Sequence, residues 1–189
     1  MRIHVSSLPK VPEMVAAHGP SRVVSLLGPG TEFPVITDLD GVHHHKVEIN
    51  DIRKPIDGLV PPGETHVTGL VDFLRRWDPS TPLLSHCWAG ISRSTATAFI
   101  AACLHNPQTD EAEIASAIAA ASPTAYPNTL IVSIADSLLA RGGRMDAAIA
   151  PIVEDEDRIV RVRGLEEAVP FSIPARFDGG PAHLDGGNA

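Results

Sequence analysis

The chain has 189 residues, 43% of them hydrophobic but only 4% aromatic, enough for one domain with a core built mainly from Val, Ile, Leu and Ala. Its 15 Lys and Arg against 23 Asp and Glu leave a net charge of −8, which argues against a general nucleic-acid binder but not against one local cationic site. Two cysteines, Cys87 and Cys103, are too few for a disulfide scaffold; with no signal-type leader and no apolar run of about eighteen residues, a cytoplasmic protein with no membrane partner is expected.

Residues 2–6 alternate and predict a short strand, and residues 9–18 predict a short helix stopped by Gly19-Pro20. The apolar run within 21–27 predicts a buried strand ended by Gly28-Pro29-Gly30. Residues 42–49 alternate again and run out at Asn50-Asp51. Residues 51–63, with three prolines and two glycines, read as a mobile loop. Val67, Leu70, Val71, Leu74 and Trp77 share one face of a helix over 64–77, which Asp78-Pro79 breaks. A short strand over 82–85 leads into His86-Cys87. Residues 91–104 are apolar or small almost throughout, which predicts a central, buried helix closed by Asn106-Pro107. Thr109 or Asp110 caps a helix over 110–121, and Pro127 takes the first turn of another over 127–141, stopped by Gly142-Gly143.

This order predicts an α/β fold: a central parallel or mixed sheet flanked by helices, with a helical C-terminal half. The texture changes near residue 151, which divides a domain of residues 1–150 from an extension of 151–189. That extension opens with the acidic run Glu154-Asp155-Glu156-Asp157, offers an edge strand over 158–163, and becomes Pro- and Gly-rich. Its last ten residues are expected to hold no fixed shape.

Chemistry concentrates in residues 86–94, His-Cys-Trp-Ala-Gly-Ile-Ser-Arg-Ser. A five-residue loop between a strand and a buried helix can turn the N–H groups of Trp88, Ala89, Gly90, Ile91, Ser92 and Arg93 inward as an anion cradle. Gly90 permits the tight backbone, and Arg93 can place a planar fork on two phosphate oxygens. The same cradle favours Cys87 as a thiolate, the reactive form. The Ser94 hydroxyl can reach the sulfur, while the His86 ring is expected to be buried and to brace the loop. Cys103, inside the apolar helix, reads as a core residue. His43, His44 and His45 are neighbours on a strand, point to alternate faces and cannot converge on one ion, so no metal site is read there.

The segment resembles the signature loop of the protein tyrosine phosphatase superfamily, and the run Ala-Gly-Ile-Ser-Arg-Ser is most similar to dual-specificity phosphatases. His45 to Asp51 is similar to the strand ending in that family's acid-bearing loop. Tyr126-Pro127-Asn128 resembles its Pro-Asn helix opening, whose Asn supports the phosphate loop; roughly residues 40–142 are covered. Ser85 departs from the small aliphatic residue usual there. The resemblance implies a cysteine-phosphatase fold and a phosphocysteine intermediate on Cys87, with Arg93 and the loop amides as phosphate clamp and Ser94 easing thiolate release. It also implies an aspartic general acid and no metal or organic cofactor. Two aspartates qualify: Asp51, which matches the strand-ending Asn-Asp pattern and is preferred, and Asp57, which resembles the acid of another branch of the superfamily. The implied partner is a phosphorylated protein or peptide, phosphotyrosine first. The remaining readings are a catalytically inactive phosphate-recognition module and a sulfurtransferase, which also sets a reactive cysteine on a loop before a helix.

Overall fold

The structure, a computed structural model, describes residues 1–37 and 43–177. Val42, where the alternating strand was expected to begin, and the last ten residues, expected to hold no fixed shape, lie outside the described residues.

Among the described residues, five strands form one mixed sheet: β1 (Arg2–Ser7), β2 (Arg22–Leu27), β3 (His44–Glu48), β4 (Leu83–Cys87) and β5 (Phe171–Pro174), in the order β3-β2-β4-β1-β5. The first four run parallel, with Ile3 opposite Leu83, Val24 opposite Ser85 and Leu27 opposite Glu48. β4 lies at the centre and every one of its residues is buried. Parallel strands covered on both faces favour apolar residues on both, hence Val23, Val24, Leu26 and Leu27 in β2 and Leu83 and Leu84 in β4. Their alternation still sorts the two layers. Val23 and Leu84 face Val11 and Met14 of α1 (Val11–His18), while Val24, Leu26 and Leu83 join the main core.

That main core is built on α3 (Arg93–His105), buried from Arg93 to Cys103. Its hydroxyls stay satisfied by bonding back along the chain, Thr95 Oγ1 to the Ile91 carbonyl at 2.6 Å and Thr97 Oγ1 to that of Arg93 at 3.0 Å. Against it pack α2 (Glu64–Arg75), α4 (Glu111–Ala121) and α5 (Thr129–Leu138). α2 buries the expected stripe plus Phe73 and ends two residues early, with Trp77 buried beyond it. Asn128, not Pro127, sets the start of α5: its carboxamide oxygen accepts from the Ile131 amide at 3.1 Å, so Pro127 falls outside the helix.

Beyond residue 142 the structure adds three elements. α6 (Arg144–Val153) spans the expected boundary at 150 and packs on α4 and α5. Its first amides are capped from another helix, since the Asp136 carboxylate accepts from Gly143 N at 2.6 Å and Met145 N at 2.9 Å. α7 (Glu156–Val162) replaces the edge strand expected at 158–163: Asp155 caps the Arg158 amide at 3.1 Å, and Glu156 and Asp157 sit in the positive first turn. β5 then pairs antiparallel with β1, Val5 opposite Phe171 and Arg2 opposite Pro174, so the sheet draws on residues past 150. A proline is tolerated there because β5 is an edge strand. Among the described residues, no helix is long and apolar enough to cross a membrane.

Candidate active site

The carboxyl ends of parallel strands leave a crevice where open α/β sheets bind ligands. Cys87 ends the central strand there, followed by the loop 88–92 and the first turn of α3. The loop's carbonyls are drawn outward by the surrounding chain. Leu8 N donates to Trp88 O at 3.0 Å, Ala168 N to Ala89 O at 2.9 Å, Tyr126 N to Ile91 O at 3.0 Å and Asn128 N to Ser92 O at 3.3 Å. A peptide whose carbonyl faces out turns its N–H the other way. Among the described residues, none of the amides from Trp88 to Arg93 donates to a backbone carbonyl. Amides without a backbone acceptor, in a loop whose carbonyls are engaged elsewhere, are open to an anion. Gly90 takes φ 76, and a Cβ there would stand 2.7 Å from the backbone of Ser6 and Ser7, so only glycine fits between the loop and β1.

Cys87 is 1% exposed, and its Sγ lies 3.1 Å from Ser94 Oγ. Arg93 is 6% exposed; Nη1 donates to the Ile49 carbonyl at 2.7 Å, and Nε points toward Asp51 Oδ2 at 3.8 Å. That contact is an ion pair without a hydrogen bond, leaving donors of the guanidinium for an anion in the loop. Asp51 Oδ1 accepts from Ser92 Oγ at 2.7 Å and from Asn128 Nδ2 at 2.8 Å. Asn128 Nδ2 also reaches Ile52 O at 3.3 Å, so one buried side chain caps α5, orients Asp51 and tethers the loop that carries it. Asp57 is exposed within the turn closed by Leu59 N to Ile56 O at 3.1 Å, on a loop pinned at its base by Asn50 and Val60. The structure thus gathers Cys87, Arg93, Ser94, Asp51 and Asn128 and leaves Asp57 apart. Trp88 is 57% exposed at the mouth.

His86 is fully buried. Its Nε2 shares the Ser25 hydroxyl with His44 Nε2, the latter at 2.7 Å. Burial holds the His86 ring at about 4, far below the ordinary histidine range; a backbone contact at Cys87 opposes the shift, and the charges of His44 and Arg93 add to it. Burial likewise brings His44 to about 4, with Lys46 and His45 adding to the shift. The sequence reading missed Ser25 and His44. The signal was there in Ser25, the polar residue inside an otherwise apolar strand. Ser85 is buried, with its hydroxyl unpartnered among the described residues. Cys103 is buried in α3, where burial, reinforced by Glu111, pushes its thiol well above the ordinary range.

Beside the loop lies a depression of about 450 Å³, lined by Asp51, Ile52, Arg53, Lys54, Ile56, Ser92 and Tyr126. Arg53 stacks on Tyr126, 4.4 Å from the ring centroid, and its Nη1 reaches Tyr126 Oη at 3.2 Å.

No family model matches the sequence, and no curated protein does. Among solved structures the chain is similar to DUSP15, with TM-score 0.54 and 15% identity over 82% of this chain and 91% of that one. It is also similar to human DUSP28, with TM-score 0.53 and 17% identity over 74% and 94% of the two chains. For the Cydia pomonella PTP-2 phosphatase the TM-score is 0.51 and the identity 18%, over 71% and 84%. The α/β cysteine-phosphatase fold expected from the signature segment is the fold observed.

Proposed function

We propose, on the premise that the chain has the fold of dual-specificity phosphatases, that it is a phosphomonoester hydrolase working through a phosphocysteine on Cys87. The observation that supports this most is the meeting of Cys87, Arg93, Ser94 and Asp51 around a loop whose Trp88, Ala89, Ile91 and Ser92 carbonyls are engaged by the surrounding chain. A tetrahedral dianion seated on the inward amides would receive the Arg93 guanidinium and lie in line with the sulfur.

In the first step the Cys87 thiolate forms a bond to phosphorus as the ester P–O bond breaks. Asp51, entering protonated, gives its proton to the leaving oxygen. The loop amides and Arg93 hold the equatorial oxygens throughout, and such fixed donors are an enzyme's main means of stabilising developing charge. In the second step Asp51 takes a proton from water as the water oxygen attacks phosphorus. The S–P bond breaks, inorganic phosphate leaves, and Ser94 donates a hydrogen bond to the returning thiolate. Asn128 and Ser92 hold Asp51 in place for both transfers. We place the substrate among phosphorylated proteins or peptides, tyrosine first. Cys87 is 1% exposed, and a phosphoryl group on a long, flat side chain would reach a sulfur so covered more readily than one on a short stem. A cytoplasmic location belongs to the same reading.

Hydrolysis of a small aryl phosphate tests the proposal. Cys87→Ser and Arg93→Ala should abolish turnover. Asp51→Asn should slow it by roughly 10²–10⁴ and flatten the profile with pH, while Asp57→Asn leaves both near wild type. Turnover surviving in Cys87→Ser would end the mechanism, and a large effect of Asp57→Asn would move the acid to that residue.

A further inference from the structure

Arg53 and Lys54 directly follow the Asp51-Ile52 segment that Asn128 ties down, and both line the depression that Asp51 and Ser92 share with the phosphate loop. In a chain of net charge −8 this is a local reversal of sign. Neither cation has a carboxylate within ion-pair distance among the described residues, whereas Arg141 and Arg144 are both taken up by Glu111. Arg53 is also held in place. The Tyr126 ring supports its guanidinium, and Tyr126 is itself fixed by donating from Oη to the Val153 carbonyl at 3.1 Å. A stacked guanidinium with donors left over is prepared for an anion, because little rotamer freedom remains to be lost on binding. The rest of the lining, Ile52 and Ile56 with the Tyr126 ring, is apolar.

We propose that this depression is a second subsite, which takes an acidic side chain adjacent to the phosphorylated residue of a peptide substrate; this rests on the phosphatase reading above. A cationic rim over an apolar wall suits a side chain with a hydrocarbon stem and an anionic tip. A multiply phosphorylated inositol ring would call for cations on every wall. The anionic tip is a carboxylate or a second phosphoryl group, and Arg53 accepts either in its fork while Lys54 adds charge from the exposed lip.

The test measures binding, so it does not depend on turnover. In the Cys87→Ser protein, affinities are compared for a phosphotyrosine peptide flanked by Ala, the same peptide flanked by Glu, one flanked by phosphoserine, and an inositol bisphosphate. Two lip-exposed ion pairs predict that the Glu peptide binds about tenfold tighter than the Ala peptide, less so at high salt. The phosphoserine peptide should gain at least as much. The preference should fall to within about twofold in Arg53→Gln/Lys54→Gln and to an intermediate value in Lys54→Gln, whose exposed side chain leaves the fold untouched. Equal affinity for the Glu and Ala peptides, a preference that persists in the double variant, no peptide binding, or tighter binding of the inositol bisphosphate would each overturn the subsite. Failure of the phosphatase reading shows elsewhere, as wild-type protein inert toward the small aryl phosphate.

Discussion

Acidification should loosen this fold through the buried ring that precedes Cys87. His86 is fully buried and held at about 4, whereas an unfolded histidine titrates near 6.5. Between those values the unfolded chain binds a proton that the folded chain refuses, so stability present above pH 6.5 is lost as pH falls toward 4. The full shift is worth about 3.4 kcal/mol, of which about 2 kcal/mol is already gone at pH 5. The geometry explains the refusal. Ser25 has one proton to offer two Nε2 atoms, so one imidazole accepts from it and the other donates to it. Protonating both leaves the hydroxyl facing two donors. His44 is partly exposed, and its share is discounted accordingly. Urea unfolding followed by tryptophan fluorescence at pH 8 and pH 5, on wild type and on His86→Asn, gives two pH differences to compare. The wild type should lose about 2 kcal/mol more than the variant. Equal losses in the two proteins would refute the argument that burial of this ring sets the acid sensitivity.

Two further outcomes are expected. Gly90→Ala forces a Cβ to 2.7 Å from the backbone of β1 at a positive φ, and should cost about 2–4 kcal/mol in thermal unfolding and weaken tungstate binding at the loop. Asn128→Ala removes a helix cap and the tether of Asp51 together. Stability should fall by about 0.5–2 kcal/mol in chemical unfolding, and aryl phosphate turnover should drop with its acidic limb displaced, whereas an effect on stability alone would confine Asn128 to capping.

The parts of the molecule readable in advance are those whose signals are local. The short strand ending at Cys87, the five-residue spacing to Arg93 and the apolar or small residues of α3 lie within twenty or so neighbouring positions, and local pattern reports such segments well. Elements held by distant partners escaped. α6 begins at glycines that read as a stop, because the Asp136 carboxylate that caps it comes from the preceding helix. The β-branched residues Ile159, Val160 and Val162 suggested a strand, but the Asp155 cap and the acidic first turn outweigh that local preference. β5 hid behind Pro170, just before it, and Pro174, at its end, which an edge position excuses. The contacts on which the proposal of Asp51 over Asp57 rests, the Asn50–Val60 pairing and the reach of Asn128, are both tertiary. Ser25 and His44 meet His86 only once the strands are in register.

The outward pull on the loop carbonyls has a kinetic corollary. Leu8 lies near one end of the described chain, Ala168 near the other, and Tyr126 and Asn128 between them. Contacts of such high contact order form late, after helices and hairpins have had time to assemble. A partly folded species can hold the strand and helix on either side of the loop, yet its amides would be free to rotate, because their anchors have not arrived. On the proposed function, anion capture would wait for the last closures of the chain, and a nascent polypeptide still short of Ala168 would carry Cys87 without one of the bonds that shape its loop.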